Sequence, residues 1–257
     1  MFDSALVALA GHIEGRDALV LAAQLADRDA PIMVAHVMAT SAAPLTGGTE
    51  AAARRRDGLR DGGAEVYATL GPDPRVRYLP VSGMPFADAV EALARRERPD
   101  AIVVGQNMLT GQPGTARLLA EAPCPIVVAP YGHRFVRAFA PARLTVACGP
   151  TGPIDDAVVL ASALGERIGA EVRLIAAGDD AAAEGWLAHA QGLAPAAAAT
   201  RVAGRGAGAL VAQTRGDVDV MVIAGRDDEI LRQAACPVLV VPAAARVAPR
   251  VAAQARR

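Results

Sequence analysis

The chain contains no lysine. All 26 of its basic residues are arginine, and Asn107 is its one asparagine. The missing lysine removes whole classes of chemistry, because a Walker-type phosphate loop and a Schiff base both need its amine. Aromatic side chains make up 3% of the residues while 53% are hydrophobic, so a core must be assembled from Ala, Val and Leu. Cysteine is scarce. Cys124, Cys148 and Cys236 lie far apart, with no CxxC pair and no even-numbered framework, which fits reduced thiols in a cytoplasm. The histidines, His12, His36, His133 and His189, show neither HxxxH nor HExxH spacing, and no metal site is expected. The formal charge of −1 gives no global field to draw nucleic acid. No run of about 18 or more consecutive apolar residues occurs, and MFDSALVALAGHIEGRDAL at the N-terminus has no basic segment ahead of its short apolar run. Neither a membrane span nor a signal peptide is expected, and a cytoplasmic location is.

What is present is repetition. Residues 17–28, DALVLAAQLADR, and 156–167, DAVVLASALGER, share an acidic first turn and apolar positions at helical spacing. Each follows an apolar strand and a glycine turn, ALVALAG at 5–11 and RLTVACG at 143–149, and each precedes another strand, PIMVAHV at 31–37 and EVRLIAA at 171–177. DAIVVG (100–105) corresponds to VMVIAG (220–225), and APCPIVVAP (122–130) to AACPVLVVP (234–242). The second copy is shorter in its middle and in its last loop. A repeat of this length means duplicated domains, with boundaries at 1–139 and 140–245 and a flexible Arg-rich tail at 246–257. That tail either frays or forms a helix on a partner.

Within the first copy the third strand is VRYLPVSG (76–83). The next helix is MPFADAVEALARRERP (84–99), with Pro85 near its start and Phe86, Val90 and Leu93 on one face. Residues 39–75 are expected to hold a mobile loop and a helix around TEAAARRRDGLRDGG. Continuous Val/Ile strands alternating with helices predict α/β architecture, with parallel strands buried on both faces and ligands bound at the strands' carboxyl ends. The two closing strands are apolar and edged by proline, so they are expected to pair with each other.

With DAIVVG, the pair Gly114-Thr115, the closing APCPIVV and the VSGMPFADAVEAL junction, the chain resembles a tandem universal stress protein, once per half. The resemblance implies two flavodoxin-like, doubly wound domains, each a five-stranded parallel sheet with helices on both faces. It also implies a non-catalytic stress-response protein that pairs its own halves and can form a homodimer, with neither nucleic acid nor membrane as partner. Family members that bind ATP carry an Asp at the end of strand one and a G-x2-G-x9-G-[ST] loop after strand four. There glycines admit phosphates to the backbone and the final pair opens a helix. Carried over residue by residue, the site comprises Ala10, Gly11, Val37, Val104, Gly105, Gly111, Gly114 and Thr115, with Arg117 nearby. Ala10 replaces the acid, Met108 stands at the second glycine, and the loop is four residues short. Three readings stay open: ATP or another adenine nucleotide, a vestigial loop with no cofactor, or a different small ligand sensed through the first domain only. A nucleotide hydrolase relative is a further alternative, for which no SGGxDS loop or clear base is present.

In the second copy Cys148 takes the Asp position, and Asp227-Asp228 stand where phosphates would lie. Unpaired acids there repel a polyphosphate, and the expected role of this copy is to bury a surface of the first. His12 is read as a loop histidine or a ligand contact, His36 as a satisfied core histidine, and Cys148 as a small buried hydrophobe. Cys124 and Cys236, ahead of prolines, read as structural. Asp155-Asp156 and Asp227-Asp228 suit helix first turns better than acid–base work.

Overall fold

The structure, a computed structural model, describes residues 1–10, 15–38, 60–111, 114–150, 152–178, 180–215 and 218–245. The first half runs β1 (Ala5–Ala10), α1 (Arg16–Leu25), β2 (Ile32–Met38), α2 (60–70), β3 (Val76–Ser82), α3 (Phe86–Glu97), β4 (Ala101–Gly105), α4 (Met108–Gly111), α5 (Thr115–Glu121) and β5 (Ile126–Ala129). A 3₁₀ turn at His133–Phe135 leads to β6 (Arg143–Ala147), α6 (Ile154–Ile168), β7 (Glu171–Ala177), α7 (Ala181–Leu193), β8 (Ala198–Val202), α8 (Gly206–Gln213), β9 (Val220–Ala224), α9 (Asp228–Gln233) and β10 (Val238–Val241).

All ten strands form one sheet in the order β3-β2-β1-β4-β5-β10-β9-β6-β7-β8. Read inward from either edge, the order is the same. Every neighbouring pair is parallel except the central one, where β10 meets β5 antiparallel with Val238 opposite Val128 and Val240 opposite Ile126. The closing strands thus pair directly and extend the sheet. They and their neighbours β4 and β9 are buried throughout, while the edges β3 and β8 are largely uncovered. Pro80 sits on edge β3, where a missing N–H costs no ladder bond on the open side.

Strand residues alternate between two cores. Val7 and Leu9 join α1, α2, α6 and α7 on one face, and Leu6 and Ala8 join α3, α5, α8 and α9 on the other. Fully buried Leu6, Ile102, Leu144 and Met221 each contribute about 1.5–3 kcal/mol of transfer free energy. An aspartate ahead of a strand hooks each half together. Asp100 Oδ2 accepts from Asp3 N at 2.8 Å, and Asp219 Oδ2 accepts from Ala142 N and Arg143 N at 2.8 and 2.9 Å.

One helix differs from expectation. The segment 49–59 lies outside the described residues; from 60 the helix runs through Gly62 and Gly63 to residue 70, past the stretch it was expected around. A Cβ at Gly62 would stand 2.1 Å from His36 Nδ1 and 2.5 Å from the Tyr78 hydroxyl. The bare backbone lets α2 lie directly on β2 and β3 and brings Val66 into the core. The Arg-rich tail also lies outside the described residues.

Candidate functional site

In each half the chain leaves its first strand in one direction and returns for the fourth on the other side. This creates a switch point between β1 and β4 and another between β6 and β9, where crevices form beyond the carboxyl ends of strands.

The first switch point gathers several of the sequence-derived residues. Ala10 ends β1 directly opposite Val37 on β2, and Val104 and Gly105 close β4 beside Ala129 of β5. Val37 and Val104 point into the core. Gly11 and His12 lie outside the described residues. After Gly105 the chain makes a turn and the single helical turn α4, which Gly111 ends. Gly114 then caps α5 at φ +83°, and a Cβ there would approach Ala87 of α3 to 2.8 Å. The buried Thr115 hydroxyl donates to the Met108 carbonyl at 3.5 Å. Arg117 pairs with Asp88, with Glu91 at 3.8 Å, and its hydrogen bond with Asp88 holds the guanidinium above its ordinary pKa.

Gln106, the residue after Gly105, crosses the central seam. Its amide donates to the carbonyls of Leu231 and Ala234 at 2.9 and 3.3 Å, and its Oε1 accepts from Tyr131 N at 3.1 Å. Arg167 joins the halves elsewhere, pairing with Asp3 and Asp27, and Asp27 also holds the N-terminal ammonium. The connecting segment is anchored on α1. Asp17, 3% exposed, accepts from Gly132 N and Arg134 N at 3.1 and 2.7 Å and from the Arg134 guanidinium at 3.0 Å. Buried His133 meets Gln24 Oε1 at 2.8 Å and sets its ring edge-on to Phe139. Burial depresses its pKa, against the opposing charge of Asp17.

The second switch point opens a cavity of about 320 Å³ at the ends of β6, β7 and β9, reached by Cys148, Trp186, Arg205, Asp180 and Asp227. Asp227 caps α9 by accepting from Glu229 N and Ile230 N, both at 3.0 Å, and Asp180 caps α7 by accepting from Ala183 N at 3.0 Å. Asp228 pairs with Arg226, and the exposed Asp155 with His189 at 2.7 Å. Asp155, Asp156 and Asp228 sit in helix first turns and Asp227 at the cap just before one, close to where their sequence positions put them. The sequence reading gave this half a packing role and missed the cavity. Its rim is built from small residues, Ala147, Gly149, Ala177, Gly178 and Gly206, at separate strand and helix ends, and no local stretch of sequence marks a void there.

His36 is a satisfied core histidine, with Nδ1 2.7 Å from the Tyr78 hydroxyl. All three thiols are buried, and burial pushes each up to about 12, so none is a thiolate near neutrality. Among the described residues, no helix is long and apolar enough to cross a membrane.

The sequence profile of the universal stress protein family matches residues 1–130. No curated protein matches the chain. Among solved structures it is similar to a universal stress protein from Archaeoglobus fulgidus DSM 4304, with 14% identity and a TM-score of 0.62 over 93% of this chain and 96% of that one. It is similar to a protein assigned to the same family from Pseudomonas aeruginosa UCBPP-PA14, with 14% identity and a TM-score of 0.56 over 100% and 98%. A functionally unknown protein from Pseudomonas aeruginosa PAO1 matches with 16% identity and a TM-score of 0.53 over 99% and 97%.

Proposed function

The chain belongs to the universal stress protein family, and on that premise we propose that it is a non-catalytic, two-unit regulatory member whose first-half phosphate loop serves assembly instead of nucleotide binding. The units are residues 1–139 and 140–245. One observation supports this reading above others: among the described residues, the polar side chains of Gln106, Thr115 and Arg117 around the loop after β4 turn onto the protein itself. Gln106 reaches the far half, the Thr115 hydroxyl donates back to Met108, and Arg117 is engaged by Asp88. A triphosphate requires such groups to face the crevice. Ala10 has no carboxylate to offer a nucleoside, and the residues present fit ATP poorly.

Calorimetric titration of the purified chain with ATP, ADP and AMP tests the reading, and no saturable heat is expected. A dissociation constant below about 100 µM, some 5–6 kcal/mol of binding, would overturn it. A phosphate-release assay tests the absence of catalysis separately, and turnover above the buffer rate would sink that part.

A further inference from the structure

The second-half crevice has features that the proposed function does not use. Its volume of about 320 Å³ lies at the lower end of the roughly 300–1,000 Å³ typical of small-molecule sites. Its apolar lining comes from Ala147, Cys148, Ala177, Leu210, Ile223 and Ile230. Trp186, half-buried on α7 and the chain's one tryptophan, forms part of the wall. Charge of both signs reaches this apolar space. Arg205 arrives from the start of α8, and Asp180 and Asp227 arrive from the starts of α7 and α9.

Arg205 is exposed and makes no ion pair among the described residues. Its planar guanidinium suits a carboxylate. Each aspartate caps its helix through Oδ1 alone, which leaves the second oxygen for a cationic donor. Phosphate suits the crevice badly, because α7 and α9 already hold carboxylates at their N-termini. Nor is the backbone at Ala224–Gly225 free to cradle a phosphate, since the Gly152 turn lies against it. A Cβ on Gly152 would stand 2.5 Å from the Ala224 carbonyl carbon.

We propose that the crevice at the carboxyl ends of β6, β7 and β9 binds a small zwitterion with an apolar body, of the class of free hydrophobic amino acids. The carboxylate meets Arg205, the ammonium lies beside Asp180 and Asp227, and Trp186 covers the apolar part. No bond is made or broken, so the site is one of recognition. It is independent of the first-half loop, and the ATP titration leaves it untouched.

Trp186 reports on the site within the full chain. Its emission and the binding heat are followed while L-phenylalanine, L-leucine, 3-phenylpropionate, 2-phenylethylamine or inorganic phosphate is added. Phenylalanine or leucine should saturate with a dissociation constant below about 1 mM. Phenylpropionate and phenylethylamine, each lacking one charge, should bind about tenfold more weakly than phenylalanine or worse, and phosphate should neither bind nor compete. Arg205→Gln removes an exposed side chain and should keep the thermal midpoint while weakening phenylalanine about tenfold. Asp180→Asn and Asp227→Asn retain a capping oxygen and should weaken phenylalanine but not phenylpropionate. The proposal is overturned if neither amino acid produces emission change or heat, if either truncated compound binds as tightly as phenylalanine, if phosphate competes, or if Arg205→Gln leaves the affinity unchanged.

Discussion

The two halves share one strand order and use the same corner of it in opposite ways. After β4, Gln106 reaches outward across the seam to α9. After β9, Arg226 at the matching position turns back onto Asp228 of its own helix. The crevice at the ends of β6, β7 and β9 holds about 320 Å³ of space. Under one strand order, the side chain following a strand-end glycine decides whether that end bridges the halves or pairs within its own.

The sharpest way to break this comparison is at α1 and α6. Asp17→Ala strips a buried carboxylate from two backbone N–H groups and a guanidinium. It should cost about 3 kcal/mol by urea denaturation. Asp156→Ala, at the matching position, should stay within about 0.5 kcal/mol. Equal costs would mean that the linker is not what distinguishes the halves.

Glycine replacement comes next. Gly152→Ala forces a Cβ against backbone at φ +76° and should cost about 2 kcal/mol. Gly114→Ala, at φ +83°, brings its Cβ to 2.8 Å from the methyl of Ala87 and should cost about 1.5 kcal/mol, while Gly149→Ala, with nothing within 4 Å, should be near neutral. The ranking of the three melting temperatures is the measurement.

At the seam, Gln106→Ala should lose about 1 kcal/mol, and Arg226→Ala, which removes an exposed pair, should lose almost nothing. Chemical denaturation of both variants checks the asymmetry directly.

The smallest effect is a pH dependence confined to the linker. Burial lowers the folded-state pKa of His133. The unfolded chain therefore takes up a proton that the folded one refuses. Stability from this residue is full above the ordinary imidazole value, about 6.5, and falls as pH drops below it toward the lowered value. His133→Gln should flatten that part of the stability–pH curve.

Much of the architecture was legible because its signals are local. Val/Ile runs, helical apolar spacing and the repeated closing strands announce elements and the pairing of β5 with β10, while the register, Val238 opposite Val128, comes from the structure. The rest depends on contacts that no local window contains. Asp17 looks like any acid in a helix first turn, yet its partners lie at 132 and 134. Gly62 looks like any small residue of a helix, but its bare backbone permits the close approach of α2 to His36 and Tyr78. The second cavity is assembled from β6, β7, β9, α7, α8 and α9. None of its small residues signals a void until the strands are laid side by side.

The antiparallel meeting of β5 and β10 has a further consequence. Because both strands belong to one polypeptide, dilution cannot separate them, and each surface meets its mate at a local concentration on the order of millimolar or higher. A protein wired in this way cannot exchange that mate with a cousin in the cell, so its two sides are always made, kept and degraded in equal number.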